Sequence, residues 1–174
     1  CFPKDTIALV KTSEDHGIDT SIVRAVIEYN NLRKKSLIKK IKQHMYGQLN
    51  NKKIAILGLS FKPETDDMRE SPSLDVIPEL LKYKADIHVF DPVAMDEAKK
   101  HLKNINYSEN IENCLRNSDC LVLLTEWSEF RSISSQYLSG LMRGNTVIDF
   151  RNALDPKNFQ DTDFKLYQIG RRKF

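Results

Sequence analysis

Lys53-Ile-Ala-Ile-Leu-Gly-Leu59 runs straight into Ser-Phe-Lys-Pro-Glu-Thr-Asp-Asp-Met-Arg-Glu-Ser-Pro72: a short apolar run, a lone glycine, then a long polar loop. The run does not alternate apolar with polar, which marks a strand buried on both faces, as in a parallel sheet covered by helices on either side. Working outward, similar runs recur at 87–90, 120–125, 146–150 and 164–168, with a weaker one at 105–107. Helix-spaced segments fill the gaps at 73–84, 95–102, 111–117 and 130–141. Strand–helix alternation implies right-handed crossovers and a doubly wound, mainly parallel α/β sheet of Rossmann-like type.

Residues 1–48 follow a different regime. Up to Tyr46 there is one glycine, Gly17, and one proline, Pro3. Residues 6–10 read as a short helix stopped near Gly17. Thr20 or Ser21 can cap a second, which carries Ile22, Val26, Tyr29, Leu37, Ile41 and Met45 at helical spacing. It is expected to run for about 25 residues, long for a globular helix. Its second half carries Arg33, Lys34, Lys35, Lys39, Lys40 and Lys42, read as a solvated face. The apolar stripe requires cover from a further domain or a second subunit. The chain thus divides into a helical segment at 1–48 and an α/β domain at 49–174.

Composition narrows the function. Of 174 residues, 40% are apolar and 29% charged with both signs mixed, which excludes a disordered chain. A net charge of +3, scattered along the chain, gives no footprint for nucleic acid. The longest apolar stretch, Cys120-Leu-Val-Leu-Leu124, falls far short of the roughly 20 residues that span a bilayer, so no membrane partner is expected. The chain opens with neither a Met nor a secretory signal. Cys1, Cys114 and Cys120 lack CxxC spacing, and His16, His44, His88 and His101 are dispersed, so neither a disulfide framework nor a metal site is expected. A reducing cytoplasm fits. Cys114 and Cys120 read as small core residues.

In a doubly wound sheet, ligands bind outside the carboxyl ends of the strands, which here means 58–72, 91–92, 125–128 and 149–152. Gly58 stands alone, so the first loop lacks the GxGxxG fingerprint of a dinucleotide site. It offers Lys62 and Arg69 instead, ahead of a helix that Ser71 can cap with Pro72 in its first turn. Two cations beside a helix N-terminus suit a diphosphate. The same two side chains read equally as a surface loop paired with Asp66, Asp67 and Glu70. Arg151 follows its strand directly, at the ligand end of the sheet or in an ion pair with Asp149 or Asp155. At the start of the chain, Cys1 sits at a helix start beside Lys4, which favours thiolate. Asp5, one turn on, can act on a water attacking a Cys-bound acyl group.

Cys1-Phe-Pro-Lys-Asp5, the whole stretch from Gly58 to Pro72, Thr125-Glu-Trp127 and Asp149-Phe-Arg-Asn152 together resemble motifs of the UDP-glucose/GDP-mannose 6-dehydrogenase family. The resemblance covers essentially the whole chain, and the second motif is long enough to be specific. It implies a primary alcohol oxidised to a carboxylate with two NAD per turnover. Cys1 would hold the sugar as thiohemiacetal and then thioester, and Asp5 would assist hydrolysis. Lys4 and Arg69 would meet NAD, while Phe61, Lys62 and Arg151 would bind the nucleotide sugar. Pro63 and the Cys-Phe-Pro-Lys-Asp form lean toward UDP-glucose, giving UDP-glucuronate, with GDP-mannose the alternative. Residues 20–45 resemble the family's central helix, which implies a homodimer. The chain resembles the part of such an enzyme from the nucleophile onward, without its NAD domain. Taken alone it reads also as a nucleotide-sugar-binding and dimerising module without catalysis. An N-terminal-nucleophile hydrolase using Cys1 is disfavoured, because it needs a layered antiparallel architecture.

Overall fold

The computed structural model describes residues 2–171. Six strands form one sheet: β1 (Lys53–Leu57), β2 (Asp86–Phe90), β3 (Asn106–Tyr107), β4 (Cys120–Leu123), β5 (Thr146–Asp149) and β6 (Lys165–Gln168). Their order is β3-β2-β1-β4-β5-β6, and every pairing is parallel. This is the Rossmann order, with its switch point between β1 and β4. Ile54 lies opposite Ile87 of β2 on one side and Cys120 of β4 on the other. The crossovers carry α3 (Ser73–Lys82), α4 (Met95–His101), α5 (Ile111–Leu115) and α6 (Ser135–Ser139).

Alternate residues of a strand face opposite sides of the sheet, and β1 shows why its sequence is apolar throughout. Ile54 and Ile56 enter one core with Val76, Ile77 and Leu80 of α3; Ala55 and Leu57 enter the other with Phe130, Leu138 and Phe159. Cys114 and Cys120 are buried and free, as expected of core residues. Burial pushes the Cys114 thiol up to about 12 and raises that of Cys120 as well, so neither is a nucleophile at neutral pH.

Two helices precede the sheet: α1 (Phe2–Asp15) and α2 (Ser21–His44). The former starts before the expected residue 6. It ends as foreseen at Gly17, which has φ +69°, while Ile18 N–H closes back on the Ser13 carbonyl at 2.9 Å. Asp19, rather than Thr20, caps α2: its carboxylate accepts the Ser21 N–H at 2.9 Å. The 24-residue helix then divides in its packing. Leu37, Ile38 and Ile41 are buried in the same core as β1 and α3, whereas Ile22, Val26, Tyr29 and Leu32 are exposed, Ile22 to 80%. The basic run is not uniformly solvated, because the Lys34 side chain is only 21% exposed.

The helix expected at 130–141 is broken. A 3-10 turn (Ser128–Ser132) gives way to extended backbone at Ile133 and Ser134 before α6. The Ser134 hydroxyl accepts the Tyr137 N–H at 3.3 Å and starts a new helix there, which is how Ser competes with a continuing one. Ile133 is buried by the break. Among the described residues no helix is long and apolar enough to cross a membrane, and no cluster of His, Cys, Asp or Glu is arranged to hold a metal.

Ile41 has no exposed surface and ties α2 to the sheet. Ile41→Ala is expected to lower stability by about 2–5 kcal/mol, in one cooperative transition followed by urea titration. A separate early transition for the helices would show that α2 is not part of the folding unit.

Candidate functional site

The site is built where β1 and β4 end. Gly58 has φ +90°, and a Cβ there would lie 2.5 Å from the Thr125 Cβ, so no other residue lets these two ends approach so closely. Thr125 uses its hydroxyl to donate to the Ser60 carbonyl at 2.5 Å. Asp91, fully buried after β2, closes the arrangement. Its Oδ2 accepts the N–H of Leu59 (2.7 Å), the N–H of Ser60 (3.2 Å) and the Trp127 Nε1–H (3.1 Å). Its Oδ1 accepts the N–H of Val93 (3.0 Å) and Ala94 (2.8 Å).

These bonds decide what the loop offers a ligand. In a dinucleotide fold the peptide N–H groups after the first strand face a pyrophosphate; here those of Leu59 and Ser60 are given to Asp91. The α3 N-terminus is closed too. Ser73 N–H donates to the Ser71 hydroxyl at 3.2 Å and Leu74 N–H to the Ser71 carbonyl at 3.2 Å, while both serine hydroxyls, themselves buried, reach the Leu59 carbonyl. The expected pairing of a free helix N-terminus with cations therefore reduces to the cations. An anion here would have to be met by side chains.

Arg69 makes a fork with Asp67, with Nη2 2.7 Å from Oδ2. The arginine's hydrogen bonds hold the Asp67 carboxyl at about 2, well below its usual range. Of the surface pairings foreseen for this loop, Arg69–Asp67 is therefore present. Lys62 is exposed, makes no ion pair among the described residues, and has its ammonium 5.5 Å from the centre of the Phe61 ring. Phe61 is half-buried, and its N–H donates to the Asp67 carbonyl at 3.0 Å, which folds the loop on itself.

Arg151 leaves β5 at the same edge. It pairs with neither Asp149 nor Asp155 through its guanidinium. That group forms two bonds to Glu126, one through Nε and one from Nη2 at 2.7 Å. Burial raises the Glu126 carboxyl, but the hydrogen bond and charge of Arg151 outweigh it, and the net shift is downward. Asp149 is fully buried and fixes the turn by accepting the N–H of Arg151 (2.9 Å), the N–H of Leu154 (2.9 Å) and the Gln168 amide (2.9 Å). With strands about 4.8 Å apart, the ends of β1 and β5 lie roughly 10 Å from each other across β4, and the loops bearing Lys62 and Arg151 leave the same edge of the sheet.

The remaining expected residues stand apart. Lys4 and Asp5 are exposed on α1 with their charged groups 3.5 Å apart. Cys1 lies outside the described residues. Sequence reading assigned no role to Asp91 or Glu126. An Asp directly after the second strand and a Trp needing a partner for its N–H were the available signals.

A parallel 3-2-1-4-5-6 sheet whose switch-point loops present cations defines a Rossmann-type, nucleotide-binding class of domain. Residues 55–156 match the UDP-binding domain of the UDP-glucose/GDP-mannose dehydrogenase family, and the chain belongs to that family. It is 39% identical to the UDP-glucose 6-dehydrogenase of Rickettsia conorii over 172 residues, covering 98% of this chain but 40% of that enzyme. Among solved structures it resembles a UDP-glucose dehydrogenase from Pyrobaculum islandicum, with TM-score 0.74, 31% identity, and coverage of 86% of this chain and 33% of the other. An NDP-N-acetyl-D-galactosaminuronic acid dehydrogenase from Methanosarcina mazei shares the fold, with TM-score 0.79 at 24% identity over 99% of this chain and 38% of its own.

Asp91→Ala would leave several buried N–H groups without an acceptor. It is expected to cost more than about 3 kcal/mol, measured by chemical denaturation. A loss below about 1 kcal/mol would mean that the loop is held by other contacts.

Proposed function

We propose that this chain is the nucleotide-sugar-binding part of a UDP-glucose 6-dehydrogenase. The observation that carries the reading is the edge of the sheet at the switch point: the Leu59 and Ser60 N–H groups are given to Asp91, and the loops bearing Lys62 and Arg151 leave that edge within the stretch that matches the family. Lys62 would meet the diphosphate as a point charge and Arg151 as a fork. Phe61, half-buried at the root of the loop, would pack against the sugar nucleotide.

Two NAD, one for each oxidation, would accept the two hydrides. The β1 turn does not fit a dinucleotide of its own, since Asp91 occupies the Leu59 and Ser60 N–H groups. Contact with NAD would come from the exposed side chains of Lys4 and Arg69. Cys1 would add to the C6 aldehyde as thiolate, hold the acid as a thioester after the second oxidation, and release it to a water assisted by Asp5. Covalent capture keeps the aldehyde from escaping between the two oxidations. The free interior cysteines agree with a reducing cytoplasm.

The division into a helical segment at 1–48 and a nucleotide-sugar domain at 49–174 belongs to the same proposal. Ile22, Val26 and Tyr29 continue the stripe of the buried Leu37 and Ile41 toward the other end of α2, where they leave apolar surface uncovered. A second copy of residues 20–45 would cover it, giving a homodimer. Ile22→Glu with Val26→Glu is expected to convert a dimer to a monomer on a sizing column; an unchanged elution volume would place the interface elsewhere.

The nucleotide is tested by titration calorimetry. UDP is expected to bind in a salt-sensitive manner, with Lys62→Ala losing about 1.5–3 kcal/mol and GDP binding more weakly. Tighter binding of GDP would move the substrate to GDP-mannose, and an unchanged Lys62→Ala would remove that residue from the site.

A further inference from the structure

The loop at 58–72 has two roots. Asp91 and Thr125 hold the first, at Leu59 and Ser60. The second root, at Glu70 and Ser71, is held from outside the α/β domain. Lys34 of α2 places its ammonium 2.6 Å from the Glu70 carboxylate and 3.6 Å from that of Asp75 in the first turn of α3. Lys34 is three-quarters withdrawn from solvent, whereas Glu70 and Asp75 are each about half exposed.

The backbone makes this contact consequential. Glu70 has φ +63°, in the left-handed region that a residue with a side chain adopts reluctantly. Its neighbour Ser71 puts its hydroxyl on the Leu59 carbonyl and so ties the second root to the first. Between the roots, residues 61–69 carry Phe61, Lys62 and Arg69; they are held by the loop's own bonds, Phe61 N–H to the Asp67 carbonyl and Arg69 to Asp67, and by Met68, which is buried in the core shared with β1 and α3. Lys34 and Glu70 also line a cleft together with Pro3 and Thr6 of α1 and Asn31 of α2. The segment bearing Lys4 and Asp5 therefore borders the same cleft as the second root of the loop.

We propose that Lys34 is a positioning residue: its bond to Glu70 sets the left-handed turn at the second root and thereby the placement of Lys62 toward the nucleotide. The effect on ligand rests on the functional reading given above; the effect on the loop does not. Lys34 touches no ligand in this scheme and acts through Glu70.

The test uses the whole chain, with UDP as the probe in calorimetry and hydrogen exchange as an independent readout. Lys34→Met keeps the aliphatic stem and removes the charge. It is expected to speed exchange at the amides of 61–70 and to weaken UDP binding, each by about fivefold, the scale of a partly exposed ion pair. Exchange in β1 and β4 should be unchanged. Lys34→Arg should restore both quantities, and adding Glu70→Gln to Lys34→Met should do nothing further, since the pair is already broken. Unchanged exchange in 61–70 overturns the proposal, whatever the affinity does. Faster exchange with wild-type UDP affinity overturns the positioning role. If the unsubstituted chain binds no UDP, the functional reading falls, and exchange alone decides whether Lys34 fixes the loop.

Discussion

Two peptide N–H groups and one indole N–H converge on a single oxygen of Asp91, and the ligand end of the sheet takes its form from that convergence. A buried carboxylate is tolerable only when its lone pairs are met by donors. The donors come from the β1 loop, from Trp127 after β4, and from the turn after Asp91 itself, so three separate connections are held to one point. The same arrangement withdraws from the crevice the backbone groups that a dinucleotide site depends on. One carboxylate shapes this end of the sheet, and under the proposed function recognition would pass to Lys62 and Arg151.

The first 48 residues are less an appendage than their sequence implies. Ile41 and Leu37 share a core with β1 and α3, while the other end of α2 exposes Ile22 and Tyr29. A single continuous helix therefore belongs to the sheet at one end and exposes apolar residues at the other. Displacement of the exposed end tends to be felt where α2 crosses the loop, because a continuous helix transmits tilt along its length.

Much of the fold was legible because continuous apolar runs at 54–57 and 120–123 leave little choice but a doubly covered parallel sheet, and the lone Gly58 marked the loop that matters. What escaped was pairing at a distance. Glu126 and Arg151 are 25 residues apart and meet only because β4 and β5 are neighbours. Lys34 read as one more lysine on a solvated face until Glu70, 36 residues on, was brought beneath it. Asp91 has the same appearance in sequence whether it faces a ligand or turns inward to the backbone. The helix at 130–141 failed for a local reason: apolar spacing does not reveal that Ser134 caps a new start.

The fork between Arg151 and Glu126 makes binding at that edge an exchange of partners. A phosphate that takes the guanidinium leaves Glu126 half-buried, still penalised by burial, with the smaller influence of Arg131 as compensation. Its affinity for a proton would then rise, so nucleotide capture at Arg151, under the proposed function, would favour taking up a proton there. Phosphate on Arg151 and a proton on Glu126 would then be linked quantities, each favouring the other as the pH falls.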